Sequence, residues 1–534
     1  MRQGNAGNAS GEAGRNGQPY NRGMTLPASA PDPGLVALAR RAAELESRGA
    51  WTEAVAAWSS AVESHPSFLP ARLGLAQALI RAGKPADALP VLGRISAAAP
   101  NVPAVWLALA VAQSMLGRHD LAVDNAKRAV ALAPNVAAVH AGLGDVLRQA
   151  GRLADAADAY RKAVAKAPDD PDALNKLAVI ERACDRPGEA ESLLRRACTR
   201  APQHPYVRVN LGTLELELGR EAEGRARLEA ALAGGTLPQD ARDEASDAIA
   251  MLDERSALAP AIEAALAAGD PAPLAHALRA RPAPPRRDEE LIAFFERAAS
   301  SVGNEPPVDT QFAHGAPAFA AWPALEAHHN FRLPGTTEAI ARSVALFQGR
   351  IAPASDDDRD VARYAAVVAQ RVPASAGGHD PVASDACLRL LHAQLVGHRP
   401  ELAPGQFKLI NNLVRHQPQV ARTPAGAVAG TLRTWFGGLA ATVPEGPWRA
   451  AFLMLVLSEV HPFRDGNGRV QRYLVNAELV RAGCFPYLRP DNLDDALPLL
   501  LNEARTTGAV RPLVEWLAAG TRYAQALDRD WASR

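Results

Sequence analysis

The chain has 534 residues, enough for two or three domains with cores of their own. Lysine plus arginine equals aspartate plus glutamate at 58 each, so the formal net charge is zero, which argues against a protein that coats nucleic acid or spreads over a membrane surface. Abundant alanine and leucine, with aromatic residues at 5%, favour an all-α fold. Cys184, Cys198, Cys387 and Cys484 show no metal-ligand spacing and imply no disulfide framework, so a reducing compartment is expected. No basic-then-apolar leader pattern opens the sequence, and the most apolar run, 450–457, is too short to span a bilayer. A soluble, cytoplasmic chain is the expectation; delivery to another cell is left open.

Residues 1–32 carry Gly, Asn, Ser, Ala and Pro with little apolar content, and are read as a disordered tail. A repeat then begins. Prolines stand at 66, 100, 134, 168 and 202, and leucines at 75, 109, 143, 177 and 211, each 34 apart. Small residues follow the leucines: Ala76, Ala110, Gly144, Ala178 and Gly212. Gly49, Gly83, Gly117, Gly151 and Gly219 keep the same period, with Asp185 in the vacant slot, and Ala54, Ala88, Ala122, Ala156 and Ala190 form another column. The glycine permits a tight turn between two helices, the small residues permit close approach, and the proline stops the second helix. The pattern resembles the tetratricopeptide repeat. Six units over 33–236 would stack into an α-solenoid, the last one degraded with Gly224 and Thr236 in the alanine and proline columns. Such an array offers a groove for a peptide or protein partner. No unit shows an obvious Lys/Arg clamp for a carboxylate, so the ligand is not named.

Residues 237–320 read as a helical linker, with helices over 240–253, 259–268 and 288–301 and a break at 281–287. In the C-terminal domain, 321–534, helical periodicity covers 336–348, 358–372, 380–396, 427–439, 448–460, 492–507 and 510–527. The stretch 405–424 is interrupted by polar and proline breakers and reads as two short extended segments.

The most informative stretch is His461-Pro462-Phe463-Arg464-Asp465-Gly466-Asn467-Gly468-Arg469-Val470-Gln471-Arg472. It holds an imidazole, a carboxylate, two glycines and, beyond them, Arg469 and Arg472 on a helix read from 469 to about 482 that Gly483 would end. Gly466 and Gly468 allow positive-φ turns and close approach of backbone to an anion, and a helix N-terminus favours phosphate. Arg469, Arg472 and Asn476 share a helix face by spacing. An imidazole titrates near working pH and suits a general base, and a lone carboxylate suits one Mg²⁺ that also bridges phosphates.

This stretch resembles the signature of the Fic family, HxFx(D/E)GNGRxxR, at every fixed position. The resemblance extends over roughly 335–525. It implies a mostly helical domain with a small β-hairpin flap, and transfer of AMP from ATP to a protein hydroxyl with release of pyrophosphate. It implies His461 as catalytic base, Asp465 as Mg²⁺ ligand, and Gly466, Asn467, Gly468, Arg469 and Arg472 as nucleotide-binding residues. Phe407, Lys408, Leu409 and Ile410 fall where the flap that aligns the target begins; Phe407 and Lys408 replace the family's usual Tyr and Arg. Met454 stands where many relatives carry a second His, and reads as core filler. Many relatives also have an inhibitory helix, (S/T)xxxE(G/N), whose Glu pairs with the second signature Arg. The best counterpart is 343–349, which offers Gln348 or Phe347 and no carboxylate, so such restraint should be weak. Two alternatives stay open: a repeat-based scaffold with an idle Fic domain, and a Fic enzyme using another nucleotide, such as UTP, GTP or CDP-choline.

Overall fold

A computed structural model describes residues 32–533, apart from 185, 236, 282–285, 303–304, 306–307, 309–310, 332, 334–335, 371–383, 410–422 and 490–495. The expected tail therefore lies outside the described residues except Asp32, whose side chain caps the first helix by accepting from Gly34 N. Among the described residues the chain is helical and contains no strand; only an isolated bridge pairs His314 with Cys484. The described residues fall into two compact units, divided between Ser246 and Asp247.

The first unit begins with twelve helices: α1 (Pro33–Ser47), α2 (Trp51–Ser64), α3 (Leu69–Arg81), α4 (Pro85–Ala98), α5 (Pro103–Met115), α6 (His119–Leu132), α7 (Ala137–Gln149), α8 (Leu153–Lys166), α9 (Pro171–Ala183), α10 (Pro187–Arg200), α11 (Pro205–Glu217) and α12 (Glu221–Ala233). They pair consecutively, and each pair packs on the next. The periodic glycines explain the turns: Gly49, Gly83, Gly117, Gly151 and Gly219 all have φ between 72° and 77°, which side chains other than glycine rarely adopt. The periodic prolines lie two residues beyond the ends of α2, α4, α6, α8 and α10. The small column is needed for close approach. A Cβ on Gly144 would lie 2.7 Å from the Tyr160 ring, and one on Gly212 would lie 2.9 Å from Leu228. The column Ala54, Ala88, Ala122, Ala156, Ala190 is wholly buried.

Buried acids in this unit are matched by arginines. Glu181 accepts from Arg161 at 2.7 Å and from Arg186, and Glu215 from both Arg227 nitrogens at 2.8 and 2.9 Å. Polar pairs also join successive first helices: Lys176 to Asp145 at 2.7 Å and Asn210 to Asn175 at 2.8 Å.

The second unit starts within α13 (Gln239–Ala268), where 259–268 and 240–253 are one helix because Pro260 is accommodated inside it. From Asp247 onward, the stretch expected as a linker belongs to this compact unit. The remaining helices are α14 (Ala272–Arg279), α15 (Glu289–Val302), α16 (Trp322–Asn330), α17 (Thr337–Phe347), α18 (Asp356–Ala369), α19 (Asp385–Val396), α20 (Ala425–Phe436), α21 (Pro447–Val460), α22 (Asn467–Arg481), α23 (Ala496–Thr507) and α24 (Arg511–Ala532). Thr336, Ser355 and Ser384 cap α17, α18 and α19 with their hydroxyls. Sequence periodicity gave no separate helix over 322–330. α21 is buried around nearly its whole circumference, Met454 included, and packs on α20, α22, α23 and α24. Phe295 of α15 meets the edge of Trp435, which stacks over Phe452 of α21, so the stretch before 320 supplies core to this unit.

Candidate functional site

The signature stretch joins α21 to α22. His461 caps α21 in a left-handed conformation, φ 48° and ψ 63°, and is half-buried. A non-glycine residue there is uncommon and turns the chain sharply out of the helix. Lys408, itself buried, brackets this point: its N–H donates to Pro462 O at 2.9 Å and its Nζ to Val460 O at 3.3 Å. Phe463 is fully buried, against Phe407 on one side and stacked on His392 on the other.

Asn467 closes the loop. Its Oδ1 accepts from Phe463 N at 2.9 Å and its Nδ2 donates to Phe463 O at 2.8 Å. Its side chain thus shapes the loop at the start of α22, where backbone amides lack intrahelical acceptors. Gly466 has φ 80° and starts α22. Gly468 does not share that turn: it is already helical, and its role is spatial, since a Cβ would lie 3.1 Å from Arg472 Nη1.

The two arginines differ. Arg469 donates to Asp360 of α18 at 2.6 Å and lies 3.6 Å from Asp465 Oδ2. Asp360 also binds Arg399 at 2.7 Å, yet burial still holds its carboxyl above the usual carboxylate range. Arg472 makes no hydrogen bond or ion pair among the described residues, and its Nε is sealed from solvent. Burial lowers its pKa; Tyr364, Tyr487, Arg489 and Arg469 surround it. Asn476 is not part of an open face, because it is wholly buried and bonded to Glu326 and to both backbone groups of Tyr487. Asp465 is 59% exposed, with Oδ1 accepting from Gly466 N at 2.6 Å.

The flap residues fall differently from expectation. Phe407, Lys408 and Leu409 are buried under the signature loop and in no strand, while Ile410 and the rest of the expected hairpin to 422 lie outside the described residues. Phe407 and Lys408 are core because they hold up Phe463 and the end of α21. Arg389, fully buried, stacks its guanidinium 3.6 Å from the Phe407 ring and pairs with Asp385 at 2.7 Å and with Glu254. Gln348 is exposed just beyond α17 and makes no bond to Arg472 among the described residues.

His392, Arg389 and Asp360 escaped the sequence reading. His392 had a signal: it sits at helical spacing among Leu388, Leu391 and Leu395, a polar ring inside an apolar stripe. Asp360 had none, since it follows a run of three aspartates, 356–358, that reads as one acidic helix start.

The Fic/DOC family model matches residues 384–479, and tetratricopeptide repeat models match 45–112 and 141–205. Protein adenylyltransferase Fic of Drosophila yakuba is 27% identical over 128 residues, which cover 24% of this chain and 26% of that protein. The protein of the same name from Aedes aegypti is 23% identical over 194 residues, or 36% of this chain and 38% of that one. The chain thus spans well under half the length of these curated relatives. A thermophilic TPR protein from Thermus thermophilus aligns over 34% of this chain and 99% of its own, at 22% identity and a TM-score of 0.32. A Fic/DOC-family domain, preceded by tetratricopeptide repeats, is what this chain carries.

Proposed function

We propose that this chain is a protein adenylyltransferase, transferring AMP from ATP to a hydroxyl side chain of a target protein. Arg472 carries the reading. A half-buried guanidinium with its Nε sealed from solvent and no protein anion is costly, and it stands just past the first turn of a helix whose N-terminus follows a tightly closed loop. A polyphosphate would supply the missing negative charge. His461 would take the proton of the incoming hydroxyl as its oxygen bonds to the α-phosphorus and the bond to pyrophosphate breaks. The first-turn amides of α22 and Arg472 would hold phosphate oxygens, with Arg469 kept in place by Asp360.

Asp465 fits Mg²⁺ as a single exposed carboxylate beside the phosphate site. Among the described residues no cluster of three or more His, Cys, Asp or Glu side chains could cage an ion. A cation there would be held largely by the nucleotide and water, and when bound would neutralise phosphate charge. The repeats would select the target through their groove. The free cysteines accord with a reducing, cytoplasmic setting.

The test is incubation of the full chain with labelled ATP, Mg²⁺ and cell lysate. Wild type should label proteins, and His461→Ala should lower the initial rate by about 10²- to 10⁴-fold while ATP binding persists. Equal labelling by both would remove His461 from the reaction. Labelling from UTP, GTP or CDP-choline in place of ATP would change the donor, and no transfer from any of them would leave the scaffold reading.

A further inference from the structure

Beneath the signature loop stands a residue that the reaction above does not use. His392 of α19 is fully buried, its ring 3.8 Å from that of Phe463 and within 4° of parallel. Both ring nitrogens are engaged. Gly405 N–H donates to Nδ1 at 2.9 Å, so in the neutral ring the proton sits on Nε2, which donates to the Asp465 carbonyl at 3.0 Å. Burial pushes the imidazole pKa down to about 3, so this tautomer persists across neutral pH. The ring also crowds Gly466, where a Cβ would lie 3.1 Å from Nε2. One side chain thus ties the 405–409 segment to the point where the loop turns into α22.

We propose that His392 is a positioning residue for the nucleotide-handling loop, its Nε2–H bond to the Asp465 carbonyl fixing where the Asp465 carboxylate and the first amides of α22 stand. The proposal relies on the adenylyl-transfer reading for its effect on catalysis, but not for the anchoring itself. A role in packing alone would need only a flat ring against Phe463, whereas a positioning role needs the donor.

Three substitutions in the full chain separate these. His392→Gln puts an amide nitrogen near Nε2 and keeps the bond to Asp465. His392→Asn puts an amide oxygen near Nδ1 and keeps only the bond to Gly405. His392→Phe keeps the ring and neither bond. Hydrogen exchange of the peptide spanning 461–470, ATP affinity and initial rates of AMP transfer are measured beside melting temperature. Amide exchange should speed up about tenfold in the Asn and Phe variants but not in the Gln variant. ATP affinity and transfer rate should follow that order, independently of melting temperature. A Phe variant with wild-type exchange and rate, or Gln and Asn variants that behave alike, would overturn the proposal. Should the Phe variant not fold, the Gln and Asn pair decides alone. If wild type transfers AMP to nothing, the functional reading fails, and the exchange data still decide for or against the anchor.

Discussion

The repeat array and the C-terminal unit both bury arginines and acids, but they settle the charges differently. In the array, Glu181 and Glu215 are each met by two arginines, from neighbouring helices or, for Arg186, the adjoining turn. In the C-terminal unit, Arg389 is met by Asp385 and Glu254, and Asp360 by Arg469 and Arg399, yet Arg472 is met by no carboxylate among the described residues. A periodic fold can balance each charge against the next unit. A fold built to take up an anion would leave one charge unbalanced for it.

The sharpest way to break this comparison is Arg472→Met. If the guanidinium is held for a ligand, ATP affinity should fall by roughly ten- to a hundredfold, the loss of a charge-assisted contact worth about 1.5–3 kcal/mol. The ligand-free melting temperature should rise, because an unpaired, half-buried charge is replaced by an apolar chain of similar reach. Titration and thermal melts without nucleotide check both signs; a lower melting point would mean that Arg472 is balanced in the free protein.

Gly144→Val attacks the array through packing. Its new side chain must displace the Tyr160 ring, lying 2.7 Å from the position of Cβ, at a cost of about 1–3 kcal/mol. Fragments from pulse proteolysis should show the array opening at lower urea, with ATP binding untouched. Loss of ATP binding would make the two units one cooperative body.

Acid sharpens the contrast further. Burial depresses the His392 pKa to about 3, so between the usual 6.5 and that value the unfolded chain binds more protons, and stability falls as pH falls through this window. In the array, hydrogen bonds from Arg220 and Arg195 hold Glu191 at about 2, so its contribution is complete above 4.5 and is lost only between there and about 2. Because Glu191 is only partly buried and solvent screens its pairs, its share is small. Urea midpoints at pH 7 and 5.5 should therefore drop for the C-terminal unit first, and less so in His392→Asn.

The smallest effect is expected from Gln348→Glu. Exposed and distant from any bond to Arg472, the new carboxylate should leave initial rates at saturating ATP unchanged. A slower enzyme would show that α17 moves toward the site.

The repeats were legible because their information is local: glycine at a left-handed turn, proline past a helix end, alanine where helices touch. The signature loop was legible because its residue types are specific to one task. What stayed hidden is long-range. Asp360 finds Arg469 across 109 positions, and His392 finds Asp465 across 73, so neither has a local pattern. Lys408 shows the converse. Its place in the sequence matched a flap contact, whereas its neighbours in space make it a prop for His461. The stretch read as a linker, 237–320, hid its packing for a similar reason: Phe295 reads as one helix's apolar face, and only the fold reveals that this face meets Trp435.

The closed loop from His461 to Asn467 has a practical consequence. Its form comes from two left-handed backbone positions, a buried ring and a side-chain staple. Arg464 and Asp465, the two between them that face solvent, add side-chain contacts at the surface: Arg464 donates to Glu401 O at 3.3 Å, and the Asp465 carboxylate accepts from Gly466 N at 2.6 Å. Shape and chemistry are therefore written in different letters. A screen that randomises 464 and 465 samples new reactivity on a constant frame, whereas one that touches 463, 466 or 467 mostly samples broken frames.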